Sequence, residues 1–149
     1  MTENSRSILI LRRVIAILAG ALVGIVLSIG ADAALRAIGL FPSEGQPMAG
    51  KLLALAAAYR TVYTAGGAYV GAWLAPDRPM WHAMLLGYLA LAANLVGTVA
   101  TWNRGPAFGP HWYPLTLVLL AVPSCWAGGK IRIAKSDSRA QFRQLLDRH

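Results

Sequence analysis

Charged residues and cysteine are both scarce in this sequence of 149 residues. Charged residues make up 13% of the chain, well below the roughly 25% of soluble domains, whereas 56% of the residues are apolar. This composition predicts a protein that is solvated by lipid rather than by water. The single cysteine, Cys125, excludes an internal disulfide and leaves no cysteine pair or quartet for a structural zinc ion.

The patterns of catalytic, metal and cofactor sites are also missing. His82 and His111 fall at opposite ends of apolar segments, and His149 is terminal, so no two histidines can share one metal ion. The sequence contains no His-Glu-x-x-His, Cys-x-x-Cys or glycine-rich phosphate-binding motif. Quinone or haem sites would ordinarily need paired histidines or cysteines within the spans. These absences argue against an enzyme, and they predict neither a metal nor a cofactor.

Four apolar segments are long enough to cross a bilayer, which takes about 20 residues for about 30 Å of hydrocarbon. They cover about 14–35, 52–75, 80–101 and 112–133. The connectors are short and rich in glycine and proline, so consecutive helices are expected to be antiparallel neighbours. The sequence therefore predicts an all-α polytopic membrane protein, with an up-down bundle of four transmembrane helices in residues 1–135 and a basic cytoplasmic tail in 136–149.

Lysine and arginine are distributed unevenly about these spans. Both chain ends and the turn at 76–79 share one side, which collects ten of the 14 basic residues, whereas three lie on the other side and Arg60 lies within the second span. The positive-inside rule places the richer side, and with it both termini, in the cytoplasm. Because the basic residues flank apolar segments, anionic lipid headgroups rather than nucleic acid are the expected partners of the tail.

The start of the chain has a second interpretation. Arg12 and Arg13, the apolar run at 14–29 and the Ala-Asp-Ala sequence at 31–33 resemble a secretory signal peptide with its cleavage site. Since the apolar run is long for a signal peptide, we expect the segment to be retained as a span.

The tail is expected to carry a short helix of its own. Ser136 or Ser138 is a candidate N-cap, and Phe142, Leu145 and Leu146 would form an apolar edge beside basic residues. Such a segment can lie on the surface of an anionic membrane. Docking of a partner protein is the alternative role for this segment.

Arg60 is the unusual residue of the second span, because an always-charged guanidinium in hydrocarbon usually faces a partner or a wet cavity. It lies about 4–5 Å outward of the midpoint of its helix, and its side chain should lean farther outward. Asp32 lies farther out on the first helix, within reach of that side chain. We therefore expect an interhelical Asp32–Arg60 ion pair. The alternative is an Asp32–Arg36 pair at i,i+4, with Arg60 extending alone to the interface.

Small residues mark the faces through which the first two helices are expected to pack. Gly20, Gly24 and Ser28 recur at four-residue intervals on the first helix, and Gly67 and Gly71 do so on the second. This spacing allows two helix backbones to approach closely. We expect these residues to form the contact, with the ion pair on its outer side.

Three more residues complete the candidate positions within the spans. Tyr63 lies beside Arg60, and Asn94 of the third helix lies at nearly the same depth, where a buried amide usually bonds across helices. With Asp32 and Arg60 they form the predicted intramembrane polar cluster, although a purely structural bond is the commoner role of such an asparagine. Pro123, near the middle of the fourth span, removes one backbone hydrogen bond and predicts a kink.

Three segments of the chain, Tyr59–Gly87, Ala100–Pro114 and Pro123–Arg132, resemble an uncharacterised family of small bacterial four-span integral membrane proteins of unknown function. They span about the last two-thirds of the sequence. The resemblance implies a location in the bacterial inner membrane. It implies no activity, substrate or cofactor, and it assigns no functional residue.

The sequence leads to two hypotheses about function. The first is a non-catalytic structural, assembly or interaction subunit, which forms a homo-oligomer or binds another membrane protein, because the strong signals are packing signals. The second is a small oligomeric transporter or channel that uses the Asp32–Arg60 pair, with Tyr63 and Asn94 lining the path. A water-accessible cavity around these groups would favour the second hypothesis, and a dry, closed bundle would favour the first.

Overall fold

Four α-helices and no β-strand make up the described part of the computed structural model, which comprises residues 3–43, 45–105 and 108–146. The helices are α1 (Glu3–Ala37), α2 (Gly50–Leu74), α3 (Pro79–Thr101) and α4 (Trp112–Leu146). The predicted all-helical bundle is therefore confirmed.

Glycine and proline set the ends of the helices. α1 ends just before Gly39, which has a φ of +74°, and the amide of Phe41 donates to the Leu35 carbonyl in the reversing turn. This turn folds Phe41 back onto the bundle, where it is buried with its ring centroid 6.5 Å from that of Tyr59. α3 begins with Pro79. The first amides of a helix have no carbonyl acceptor within the helix, so proline loses no hydrogen bond at this position.

α2 is the central helix of the bundle. It packs along α1 and α4 and, over a shorter stretch, against α3, whereas α3 packs mainly against α4 and meets α1 only briefly. The order around the bundle is therefore α1, α2, α4, α3. Consecutive helices were expected to be neighbours, but α2 packs more closely against α4 than against α3, despite the short connector between α2 and α3. The contacts between Gly20 and Gly67 and between Gly24 and Tyr63 run in opposite chain directions, so α1 and α2 are antiparallel.

Three of the four described helices are long and apolar enough to cross a membrane: α1 from Ser5 onward, α3 and α4. α2 is not among them, although its 25 residues are sufficient in length. The reason lies in its composition, because Arg60 and the tyrosines, threonines and glycines around it lower its hydropathy. Hydropathy alone therefore supports three membrane-spanning helices. Whether α2 also spans the membrane has to be argued from the residues that surround it.

α1 and α4 are each 35 residues long and extend past the predicted spans at the same end of the bundle. At 1.5 Å per residue each is about 50 Å long, against about 30 Å of hydrocarbon. The tail is not a separate helix, because α4 continues to Leu146, and the Ser136 and Ser138 hydroxyls donate to carbonyls within α4 instead of capping a helix start. We call residues 134–146 the α4 arm; the side chain of Phe142 and residues 147–149 lie outside the described part.

Arg13 joins the beginning of the α1 span to the turn between α2 and α3. Its Nε and Nη2 atoms donate to the two carboxylate oxygens of Asp77 at 3.1 and 2.6 Å, which is a bidentate pair. We call this end of the bundle, which also holds Arg78 and Lys130, the basic end. The opposite end, with the loops at 38–49 and 102–111, is the two-loop end.

The Arg13–Asp77 pair leads to a prediction about pH. Hydrogen bonding to Arg13 lowers the pKa of Asp77 below its ordinary value. The stability that comes from a lowered pKa is present above the unfolded value, about 4, and is lost as the pH falls through the folded value. We expect the wild type to have a higher Tm than Asp77→Asn, and we expect this difference in Tm to shrink as the pH falls from about 5 to about 3.

Thermal melts over this pH range check the prediction, with Asp137→Asn on the α4 arm as the control. Both side chains of the pair are more than one-third exposed, so the expected margin is small even at neutral pH. Asp137 is exposed, and its substitution is expected to leave Tm unchanged. A margin for Asp77→Asn that stays constant with pH would contradict the assignment to the Arg13 pair.

Candidate functional site

Glycines bring α1 and α2 into backbone contact. A Cβ atom built on Gly20 would lie 2.7 Å from the Gly67 carbonyl oxygen, and one on Gly67 would overlap the Gly20 carbonyl oxygen. Ser28, farther along the α1 stripe, donates to the Gly24 carbonyl at 2.8 Å and so bonds within its own helix. The glycines predicted to pack all lie in this contact: Gly20, Gly24, Gly67 and Gly71.

Asp32, Arg60 and Tyr59 form a hydrogen-bonded cluster on the two-loop side of the glycine contact. One carboxylate oxygen of Asp32 accepts from Nη2 of Arg60, and the other accepts from the hydroxyl of Tyr59. Asp32 is the better shielded partner, with 15% of its side chain exposed against 34% for Arg60. Among the described residues, the buried Nε of Arg60 has no hydrogen-bond partner. The protein's own acceptors therefore engage the guanidinium only in part.

Tyr59, rather than Tyr63, completes this cluster. The Tyr63 ring packs on Tyr59 with centroids 5.7 Å apart, and it lines neither of the cavities described below. Both tyrosines lie on the same flank of Arg60, but Tyr63 is one turn, about 6 Å, farther from the two-loop end, where Asp32 lies. Depth along α2 is the signal by which the sequence could have identified Tyr59.

Asn94 connects α3 to α4 at the other side of the bundle. Its Nδ2 donates to the Leu117 carbonyl oxygen at 3.0 Å, so the amide bonds across helices. Thr98, one turn later, is buried and donates to the Asn94 carbonyl oxygen at 2.7 Å. Asn94 thus bonds to α4 and not to Asp32 or Arg60, and it holds the facing helices together.

Pro123 lies inside α4, which continues on both sides of it. The carbonyl of Leu119 loses its helical amide donor at this point, because proline has no N–H. The Ser124 hydroxyl donates to the Ala121 carbonyl oxygen at 3.0 Å, and the Thr116 hydroxyl donates to the Trp112 carbonyl oxygen at 2.8 Å. Neither hydroxyl therefore replaces the missing donor.

Gly128 makes a close contact that no pair of glycines at the four-residue spacing marks. A Cβ atom at this position would overlap the Ala65 carbonyl oxygen of α2, whereas a Cβ on the next residue, Gly129, would lie 2.7 Å from the Ala83 Cβ of α3. Two adjacent glycines therefore let α4 approach two different helices. The buried Cys125 lies one turn earlier, with its Sγ 4.0 Å from the Thr64 carbonyl oxygen.

A half-open cavity of about 460 Å³ lies between the helices of the bundle, with residues of all four in its wall. Its volume falls within the range of about 300–1,000 Å³ that is typical of small-molecule sites. We call it the mid-bundle cavity. Most of the wall is apolar, and its polar positions are Ser28, Asp32, Arg60, Thr61, Thr64, Asn94 and Ser124.

A second cavity, of about 280 Å³, lies at the two-loop end, and we call it the loop-end cavity. Asp32 and Arg60 line this space as well, so the ion pair borders both cavities. Arg36, Phe41 and Tyr113 contribute to the rest of its wall. Among the residues that the structure describes, the charged groups of this wall are Asp32, Arg36 and Arg60.

The two described histidines line neither cavity and lie at opposite ends of the bundle. His82 is 1% exposed at the basic end, with Nδ1 3.2 Å from the Arg78 carbonyl oxygen. His111 stacks on Trp102 at the two-loop end, with ring centroids 4.2 Å apart. Within the described ranges, no group of three or more histidine, cysteine or acidic residues could hold a metal ion.

Comparisons of the chain with protein-family models, with curated proteins and with solved structures find no match. The function therefore has to be argued from the ion pair, the two cavities and the packing that positions them.

Proposed function

We propose that this chain is a four-span protein of the bacterial inner membrane, with both termini in the cytoplasm and α2 as the fourth span. α2 packs against all three of the other helices, and its buried residues are Leu53, Ala56, Ala57, Gly67, Ala68, Gly71 and Ala72. Because α1, α3 and α4 shield it, its polar groups meet protein more than hydrocarbon. Its single intramembrane charge, Arg60, is paired with Asp32. A central position thus supports a span that composition alone does not.

The basic end is proposed to face the cytoplasm, where anionic lipid headgroups attract lysine and arginine. Lys130 and Arg132 lie in the last turn of the fourth span and Lys135 follows it, so all three are proposed to lie at the depth of the headgroups. Because α4 is continuous, its end at Leu146 lies about 20 Å beyond Ile133. The arm is therefore proposed to project into the cytoplasm instead of lying flat on the lipid.

The proposed activity is non-catalytic: binding of a small ligand inside the bundle, as part of a small oligomeric transporter or channel. The mid-bundle cavity, bordered by the Asp32–Arg60 pair and by Asn94, is the observation that carries this proposal. A bundle with a purely structural role would gain dispersion contacts by closing such a space. A space that reaches a charged pair is better suited to a ligand.

An assembly or interaction role, as a homo-oligomer or with another membrane protein, is the second candidate, and the α4 arm favours it. Leu145 and Leu146 on the arm are 57% and 61% exposed, beyond the lipid depth proposed for α4. A partner that docks there would cover this apolar end of the helix. Deletion of residues 138–149 would then abolish the association and leave ligand binding intact.

Cysteine accessibility in intact cells tests both the topology and the cavity. In a Cys125→Ala background, single cysteines are placed at Ala49 in the two-loop end, at Ser138 on the arm, and at Ala90 in the wall of the mid-bundle cavity. Ala92 is the matched control for Ala90, because it lies on the same helix, is exposed and lines neither cavity. The readout is labelling by a membrane-impermeant maleimide and by a small water-soluble methanethiosulfonate.

The topology predicts that Ala49→Cys reacts with the maleimide in intact cells and that Ser138→Cys reacts only after the membrane is permeabilised. The cavity predicts faster methanethiosulfonate labelling of Ala90→Cys than of Ala92→Cys, because the reacting thiolate forms in water and not in lipid. Equal and slow labelling at both α3 positions would indicate a dry bundle. That result would leave the assembly role as the better candidate.

A further inference from the structure

The open side of the mid-bundle cavity lies between α1 and α3, which meet only briefly. The two helices touch where a Cβ atom on Gly20 would lie 2.8 Å from Cδ1 of the buried Leu86. Beyond this contact, Ile25 and Ile29 of α1 and Leu89 of α3 line the cavity and are each at least half exposed. The cavity therefore reaches the outer surface of the bundle between these helices, a surface that faces lipid if the helices span as proposed.

The wall of this cavity is apolar toward the basic end and polar toward the two-loop end. The first part consists chiefly of small and apolar residues: Gly20, Ala21, Ala68, Leu86 and Ala121. The second part contains the polar residues Ser28, Asp32, Arg60, Thr61 and Asn94. Nine residues of α3, from Leu86 to Asn94, cover the length of the cavity, which is about 12 Å at 1.5 Å per residue. An extended chain advances about 1.2 Å per bond, so about ten carbon atoms span this distance.

The charges and hydrogen bonds of the wall favour an uncharged ligand. Among the described residues that line the cavity, Asp32 and Arg60 are the charged ones, and they pair with each other. The hydroxyls of Ser28, Thr61 and Thr64 donate to carbonyl oxygens of their own helices at 2.7–2.8 Å, so their oxygens remain as acceptors. A charged ligand would lose its hydration here without gaining a counter-charge, whereas a ligand hydroxyl can donate to these oxygens.

We propose that the mid-bundle cavity binds an uncharged single-chain lipid with a hydroxyl headgroup. The hydroxyl lies at the polar end of the cavity, beside Ser28 and Thr61, and the chain extends along α1 and α3 toward Leu86. The ligand enters from the bilayer, through the open side between α1 and α3. This inference rests on the proposed ligand-binding function and names the class of ligand.

Photolabelling with a decanol that carries a diazirine in its chain tests the proposal. The full-length protein is held in phosphatidylcholine nanodiscs, and mass spectrometry identifies the labelled peptides. We expect saturable labelling within residues 20–32 of α1 and 86–94 of α3. Unlabelled decanol should compete, whereas decane, which lacks the hydroxyl, and decanoate and decylammonium, which are charged, should compete about tenfold less well or worse.

Two pairs of variants assign the two parts of the site. Ala90→Leu fills the cavity and is expected to weaken decanol binding about tenfold, whereas Ala92→Leu, at an exposed position of α3 outside both cavities, should not. Thr61→Val keeps the shape of the side chain but removes an acceptor, and it is expected to weaken binding about fivefold. Thr116→Val is its control, because the Thr116 hydroxyl also donates within its own helix but lines neither cavity.

The outcomes separate this inference from the function on which it rests. Saturable labelling that needs both the hydroxyl and the chain, and that Ala90→Leu and Thr61→Val weaken while their controls do not, supports it. If decane or a charged competitor displaces the probe as well as decanol does, the ligand class is wrong. Failure to detect saturable labelling would also overturn it, and the proposed function would still stand where water-soluble reagents reach Ala90→Cys.

Discussion

Gly67→Ala is expected to destabilise the bundle, although alanine forms helices better than glycine by about 1 kcal/mol. A Cβ atom at Gly67 would overlap the Gly20 carbonyl oxygen and lie 3.2 Å from the Gly24 nitrogen. Both are backbone atoms, so no side chain can rotate away and α1 has to move as a unit. Overpacking of this kind costs about 1–3 kcal/mol, and we expect Tm to fall by about 5 °C.

Gly66→Ala is the matched control for this prediction. Gly66 is the preceding residue of the same helix, and a Cβ atom there meets nothing within 4 Å. The substitution should therefore be neutral or should raise the free energy of unfolding by up to about 1 kcal/mol. Circular dichroism melts in a mild detergent compare the two variants. Equal Tm values would show that α1 and α2 do not meet through this face.

The contact between α1 and α2 could be predicted from the sequence, whereas the contact between α2 and α4 could not. Gly20 and Gly24 repeat at a spacing of four, as do Gly67 and Gly71, and a local repeat on two consecutive helices identifies both sides of one contact. Gly128 meets Ala65 across two intervening connectors, and neither residue belongs to a pair of glycines at this spacing. Contacts between helices that are not consecutive depend on how the whole bundle closes, which no local pattern records.

The depth of each residue along its helix could also be predicted from the sequence, whereas the shape of the interior of the bundle could not. Helical rise placed Asp32 within reach of Arg60, and the same arithmetic would have favoured Tyr59 over Tyr63. The polarity of α2 could be read from its sequence, but its central position could not, because that depends on which helices approach it. The cavities on either side of the pair arise from small side chains on four helices, and their volumes follow only from the packed arrangement.

Asp32→Asn is expected to be the most damaging single substitution within the spans, and more damaging than Arg60→Gln. If α2 spans the membrane as proposed, the first change leaves a guanidinium there that cannot lose its charge, at a cost of about 2.5–3.5 kcal/mol by insertion scales. The second change leaves Asp32, which can take up a proton, become neutral and keep its hydrogen bond with Tyr59. The two partners of one ion pair are therefore expected to tolerate removal unequally.

The double variant Asp32→Asn/Arg60→Gln tests whether the two effects come from one interaction. With both charges removed, an amide faces an amide, and we expect Tm and membrane accumulation to recover most of what Asp32→Asn loses. A coupling free energy of about 1–3 kcal/mol is expected from the cycle of four proteins. Arg104→Gln, which removes an exposed charge at the same end of the bundle, controls for the change in net charge. If the double variant were as unstable as the sum of the single variants, Asp32 would not be what neutralises Arg60 within the membrane.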